Sequence, residues 1–163
     1  SAQSAHTNDR LLLPGHTYRF RIRAVDHAGN VGAWATGGIV RLTGYSEAIS
    51  AAKYVGRWSS NTSTAYWGGK AKSATAAGAK ATFTFTGRSV AIVSRLAPGR
   101  GKAEIWVGST KMATIDLGST SYSNQRIVWS KSWTTSAKRT VTVKVMGTSG
   151  RPRVEVDGFV VGG

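Results

Sequence analysis

The chain has no cysteine. That excludes a disulfide framework and a thiolate metal site, while leaving the compartment open. Acidic residues are almost as scarce. Seven carboxylates stand against 22 Lys and Arg, for a formal net charge of +15 at pH 7. A glycosidase needs two carboxylates facing each other across a cleft. Asp9, Asp26, Glu47, Glu104, Asp116, Glu155 and Asp157 are the whole supply. Glu155 and Asp157, two apart, share a strand face, and the expected role of such a pair is to balance neighbouring Arg and Lys. No stretch approaches the roughly 18–20 apolar residues of a membrane span. No signal-peptide pattern is visible, and from Ser1 the chain reads as a mature product or a fragment.

Other chemistries are equally short of parts. His6, His16 and His27 lie near the start without metal-ligand spacing. No Gly-x-Ser-x-Gly elbow occurs. Gly99-Arg100-Gly101-Lys102 ends like a phosphate loop, but Leu96 stands where the first glycine is needed, so it reads as a turn. No Asp-x-Asp cluster is present. A structural calcium, to which Glu155 or Asp157 would contribute, is disfavoured by the charge. The expectation is a protein without catalytic residues, cofactor or metal. Asn61-Thr62-Ser63 is a formal glycosylation sequon.

What is present is strand pattern. Phe83 and Phe85 alternate with Thr82, Thr84 and Thr86, a period of two with one wet face. Residues 90–93 are a short apolar run, as in a strand covered on both sides. Ala103, Ile105 and Val107 alternate with Glu104 and Trp106, and Gly108-Ser109 turns the chain into a strand over 111–117. Four strands in forty residues, without a helix between them, predict an antiparallel sandwich. Further strands are expected at 72–75, 126–130, 139–146 and 153–161. Residues 59–64, 118–124 and 147–152 read as loops, and 131–138 as a turn region carrying Trp133.

Upstream, Tyr18, Phe20, Ile22 and Ala24 fall on one face of a strand, and Arg19, Arg21 and Arg23 on the other. Residues 26–30 form a turn cluster, and 31–42 a second strand. The run Leu13-Pro14-Gly15-x-x-Tyr18-x-Phe20-x-Ile22-Arg23-Ala24-Val25-Asp26-x-Ala28-Gly29-Asn30-x-Gly32-x-Trp34 resembles the C-terminal third of a fibronectin type III domain. The resemblance implies the last strands of an immunoglobulin-like sandwich, with Tyr18 as its tyrosine corner. The earlier strands are missing, and such a remnant is not stable alone. Its apolar face of Tyr18, Phe20, Ile22 and Val40 needs a cover. Upstream sequence of a longer chain and a neighbouring subunit donating strands are the two sources.

Residues 44–53 read as a linker or short helical turn, and a second unit starts near Tyr54. Gly56-Arg57-Trp58, Gly68-Gly69, residues 82–87, 101–107 and 115–117, and Arg153-Val154-Glu155-Val156-Asp157-Gly158-Phe159-Val160-Val161 resemble the galactose-binding-like jelly rolls appended to secreted bacterial proteins. The fold expectation is therefore all-β. A partial fibronectin type III sandwich spans 1–43, and a β-jelly-roll spans 54–163.

Sugar rings stack on Trp and Tyr, while Arg and Asn fix hydroxyls. The loop aromatics Trp58, Tyr66, Trp67, Tyr122 and Trp133 are the candidate ligand platform, with Arg95, Arg100, Asn124 and Arg126 as polar partners. Trp58 and Trp67 also fit as lids on the sandwich ends, and Trp106 and Trp129 as core or sheet-face residues. The leading expectation is a non-catalytic, secreted or cell-surface module that binds polysaccharide, with the basic surface favouring acidic glycans. The alternative is a structural subunit of an adhesin or filament, docking copies of itself or upstream domains through the face of Tyr18, Phe20, Ile22 and Val40. Nucleic acid ranks last, because the basic residues are dispersed.

Overall fold

Phe83 and Phe85 do what their period of two requires. Both side chains are buried, while Thr82, Thr84 and Thr86 face outward. The computed structural model describes residues 15–163. Residues 1–14, with Asp9, His6 and the first part of the fibronectin-like match, lie outside them.

The described chain runs β1 (Thr17–Ile22), β2 (Ala35–Ser46), β3 (Ala52–Val55), β4 (Ser59–Thr62), a 3-10 turn (Trp67–Gly69) and β5 (Lys70–Ala74). It continues with β6 (Lys80–Leu96), β7 (Lys102–Val107), β8 (Thr110–Asp116), β9 (Ser123–Val145), β10 (Val154–Val156) and β11 (Gly158–Gly162). All strand pairs are antiparallel. The larger sheet follows the order β1-β2-β11-β6-β9-β7-β8, with β3 also pairing β6, and the smaller one is β10-β5-β4. The protein is an all-β sandwich of jelly-roll type, as its alternating patterns predict.

The long β6 and β9 form the backbone of the larger sheet, paired from Lys80↔Lys144 to Leu96↔Ser123. The C-terminal strand crosses between the sheets at Asp157. Before it, β10 pairs β5, and after it β11 inserts between β2 and β6. The Asp157 N–H donates to the Val93 carbonyl at 3.0 Å, which fixes the crossing. Around it the core closes. The Phe83 ring stacks on Phe159 at 4.4 Å and on Phe85 at 5.9 Å, with Tyr45 tilted against it at 5.3 Å. Val90, Ile92, Ile105, Leu117, Val141, Val143, Val145, Val154 and Val156 fill the rest. Each such side chain contributes about 1.5–3 kcal/mol by leaving water.

Three expectations are corrected. Residues 44–46 are not linker. They continue β2, which pairs β11 from Leu42↔Gly162 to Ser46↔Gly158, with Tyr45 opposite the buried Phe159 and Gly44 opposite Val160. Residues 59–62 are not loop. They form edge strand β4 on β5, held partly by Asn61, whose amide donates to Ser73 Oγ at 2.9 Å. Residues 131–138 do not turn the chain, because β9 runs through them. The ladder slips there: Ser132 pairs Ser89 and Ala137 pairs Gly87, so four residues starting with Trp133 oppose Arg88 alone.

The β1–β2 ribbon extends the larger sheet past the sandwich. Phe20 is 49% exposed and Ile22 73%, while Tyr18 and Val40 are half-buried.

Candidate functional site

A buried carboxylate organises one end of the sandwich. Glu155, in the middle of β10, is 1% exposed. Its neighbours Val154 and Val156 point into the core, so alternation sends Glu155 to the other face of the small sheet. Arg100 Nε donates to its Oε2 at 2.7 Å, and the Tyr66 hydroxyl donates to its Oε1 at 2.8 Å. Arg153 donates to Oε1 as well, and reaches Asn61 Oδ1 at 2.9 Å. Burial pushes the Glu155 carboxyl up. The donors Arg100 and Tyr66 and the Arg100 and Arg153 charges outweigh it, so the group sits below the ordinary carboxylate value.

Tyr66 thereby becomes a wall of the site. It is 5% exposed, and burial followed by its bond to Glu155 holds its hydroxyl above the ordinary phenol value. The Arg95 guanidinium lies 4.3 Å from the Tyr66 ring centroid and 5.8 Å from that of Tyr122. Arg95 Nε is buried without a hydrogen-bond acceptor. Among the described residues the Arg95 side chain makes no direct ion pair, so stacking places its guanidinium, and its charge acts on the buried Asp157 carboxyl. Tyr122 is 68% exposed. Gln125, at a positive φ of 52°, sends Nε2 to the Ala65 carbonyl at 3.5 Å and bridges the two loops that carry Tyr122 and Tyr66. Arg126 pairs Ser94 across the sheet, and both Arg126 and Asn124 are exposed.

Trp67 follows Tyr66 directly. Its N–H donates to Asp157 Oδ1 at 2.9 Å, and its ring lies against Gly158, where a Cβ would meet the Trp67 ring at 2.9 Å and the Tyr45 carbonyl at 2.6 Å. Asp157 is fully buried and its Oδ2 has no partner. Burial pushes its carboxyl up to about 6. The Trp67 N–H and, to a smaller extent, the Arg95 charge oppose that, while the Glu47 and Glu155 charges add to it.

The nine candidate residues therefore divide. Tyr66, Arg95, Tyr122, Asn124 and Arg126 gather at this end, with Trp67 beside Tyr66 and Arg100 beneath. Tyr66 and Arg100 face inward and are not free to meet a ligand, because Glu155 holds both. Trp58 is occupied elsewhere: its ring meets Tyr54 edge-on at 5.2 Å, and Nε1 donates to the Val55 carbonyl at 3.2 Å. Trp133 is a third location, 6.2 Å from Phe85 with Arg139 stacked at 4.3 Å. Asn61, Arg153 and Gln125 complete the end and were not anticipated. The only sequence signal for any of them is the Glu155-x-Asp157 spacing.

Among the described residues no three His, Asp or Glu side chains converge as a metal site. Glu155 has all its oxygens engaged, and Asp157 offers one free oxygen. Glu104 and Asp116 serve the surface. Glu104 accepts from Lys111 at 2.7 Å and Lys144 at 3.2 Å, which hold its carboxyl down at about 2. Arg151 does the same for Asp116, also at about 2.

No protein-family model matches the sequence, and neither does any curated protein. Solved structures do match in fold. A xanthan lyase from Paenibacillus superposes with a TM-score of 0.56 at 16% identity, over 72% of this chain and 13% of that one. A family two carbohydrate esterase from Cellvibrio japonicus superposes with a TM-score of 0.56 at 10% identity, over 76% of this chain and 34% of that one. The chain thus spans about an eighth and a third of those proteins. At these identities the likeness is one of fold: an antiparallel β-sandwich that recurs as a part of larger chains.

Proposed function

We propose that this chain is a non-catalytic, extracellular carbohydrate-binding module whose ligand rests on Tyr122 and Arg95. The observation that carries this reading is the stacked Arg95 guanidinium, which makes no direct ion pair, beside the Tyr66 and Tyr122 rings. Exposed Tyr122 supplies a flat apolar face for a pyranose ring. Arg95, Arg126 and Asn124 supply donors around it. A fixed guanidinium that makes no direct ion pair favours a ligand carboxylate, since Arg–carboxylate pairs are charge-assisted and often bidentate. The ligand class is therefore an acidic glycan. The carboxylates are spent on structure, which supports a binding role and not a hydrolytic one. The lyase and esterase named above, of which the chain spans a fraction, support a place beside a carbohydrate-active enzyme.

The test is titration of the protein with a short oligogalacturonide and a neutral oligosaccharide of equal length, using the unaltered chain and Tyr122→Ala. Preference for the acidic ligand, lost with Tyr122, supports the reading. Absence of binding to both ligands removes it.

A second reading has its own observation. Phe20 and Ile22 are exposed on β1, the last described strand at one end of the larger sheet. Completion of this ribbon by upstream sequence or a second copy would make residues 1–43 the tail of a separate sandwich and the chain a piece of an adhesin or filament. A dimer or polymer in light scattering that Ile22→Lys dissolves is its signature.

A further inference from the structure

The opposite face of the same ribbon carries an arrangement that the loop-end site does not use. Strand alternation puts Arg19 and Arg21 on one side of β1, and Arg23, just past the end of the strand, joins Arg21 over Trp34. Arg41 opposes Thr17 and Ile39 opposes Arg19, so both share that side. Trp34 belongs to it too. The Arg21 and Arg23 guanidiniums lie over its ring at 4.5 and 4.7 Å. Cation–π stacking of this kind holds long side chains in one orientation. Gly37 and Gly38 oppose Phe20 alone at a slip in the ladder. The slip twists the ribbon without disturbing the alternation of β1.

The result is a row of guanidiniums that meets no carboxylate among the described residues. None of Arg19, Arg21, Arg23 and Arg41 makes an ion pair among the described residues. The nearest carboxylate in sequence, Asp26, is absorbed by its own turn. It accepts from the Asn30 side chain at 2.8 Å and from the Asn30 and Ala28 N–H groups at 2.8 and 3.0 Å. Successive arginines on β1 recur every 6.5 Å or so, the two-residue repeat of a strand. Four like charges in a two-stranded ribbon repel one another, and a bound polyanion relieves that repulsion.

We propose that this arginine face is a second docking surface, and that its occupant is a linear acidic polysaccharide. Charge complementarity sets the class. Two features favour a polysaccharide over nucleic acid. Arg21 and Arg23 both lie over the Trp34 ring, which is 46% exposed, so a stacking nucleobase has to compete with a guanidinium. Ile39, 59% exposed, places aliphatic surface between Arg19 and Arg41, where a pyranose C–H face fits and a phosphodiester gains nothing. The surface reads charge spacing along a polymer, whereas the loop end reads one or two sugar units. This inference does not rest on the loop-end reading.

The experiment uses the whole chain and the double variant Arg19→Gln/Arg41→Gln. These two arginines do not lean on Trp34, so the stack survives. Arg19→Lys/Arg41→Lys is the folding control that keeps the charge. High-mass polygalacturonate, a short oligogalacturonide and a duplex DNA are titrated at two salt concentrations. The Gln variant is expected to bind the polymer about tenfold or more weakly, a change of about 1.4 kcal/mol, with a flatter salt dependence. Its affinity for the short oligomer should be unchanged, and Tyr122→Ala should retain salt-dependent polymer binding. Unchanged polymer affinity in the Gln variant overturns the proposal. So does tighter binding of DNA than of polygalacturonate that the Gln variant loses. Failure of the short oligomer to bind any form counts against the loop-end site and leaves the polymer result to decide the ribbon.

Discussion

The Tyr66 hydroxyl donates to Glu155 Oε1 at 2.8 Å, joining residues 89 positions apart. The same carboxylate takes Arg100 and Arg153. One buried anion thus ties the loop before β5, the turn after β6 and the crossing strand β10 into a rigid end, on which Arg95 and Tyr122 are mounted.

Glu155→Ala should cost about 3–5 kcal/mol, because it leaves Arg100 and Arg153 without their counter-charge and the Tyr66 hydroxyl without its acceptor. Urea unfolding at pH 7 measures it. A loss under about 1 kcal/mol would show that the network contributes little. The pH dependence has a defined sign. The folded Glu155 carboxyl lies below its ordinary value, so its stabilisation is complete above that value and is lost as pH falls through the folded one. Glu104 and Asp116, held down at about 2, act in the same direction.

Asp157 works the other way. Its folded carboxyl is raised from 3.8 to about 6. The folded state therefore binds the extra proton between those values, and stability declines as pH rises from about 4 to about 6. A shift of two units corresponds to roughly 3 kcal/mol. Asp157→Asn retains an oxygen for the Trp67 N–H and removes the charge. In metal-free buffer it should be more stable than the parent at pH 7, by about 1–3 kcal/mol, and indistinguishable from it near pH 3.5. Thermal melts across that range give the comparison. A variant less stable than the parent at pH 7 would contradict the assignment.

Gly158→Ala should destabilise by about 1–3 kcal/mol, the usual cost of overpacking. Its Cβ would collide with the Tyr45 carbonyl and the Trp67 ring, both packed around the crossing. The Trp67 contact gives a second readout, since near-ultraviolet circular dichroism should lose part of its tryptophan signal. Parent-like stability and spectrum would show that the crossing relaxes.

Arg95→Met should lower stability by about 0.5–2 kcal/mol, through loss of the cation–π contact with Tyr66. Binding of an acidic oligosaccharide should fall about tenfold or more, roughly 1.4 kcal/mol, with a smaller effect on a neutral one. Equal losses for both would show that Arg95 shapes the site without reading charge.

The sheet scaffold was legible where hydrophobic period and burial agree. Phe83 and Phe85, residues 90–93, and Val141, Val143 and Val145 all lie in the core as their spacing requires. Strand β4 was not legible, because Ser59-Ser60-Asn61-Thr62 has no apolar residue and is held by backbone pairing and the Asn61 amide. The continuation of β2 through Tyr45 was hidden for a related reason: Gly44 and Ser46 are weak strand formers whose pairing comes from β11. At the site, position in a loop singled out Tyr122, which is exposed, but equally Tyr66 and Arg100, which face inward. Their orientation is set by Glu155, far away in sequence, and local pattern carries no trace of it. The arginines of β1 were legible as one face. Their stacking on Trp34 needed the ribbon.

The most direct test of the loop-end site is calorimetric titration of a short oligogalacturonide into the unaltered chain and into Tyr122→Ala. The account predicts binding by the unaltered chain and about tenfold weaker binding by the variant, a change of about 1.4 kcal/mol. Equal affinity for the two proteins, or no heat with acidic and neutral oligosaccharides alike, would contradict it.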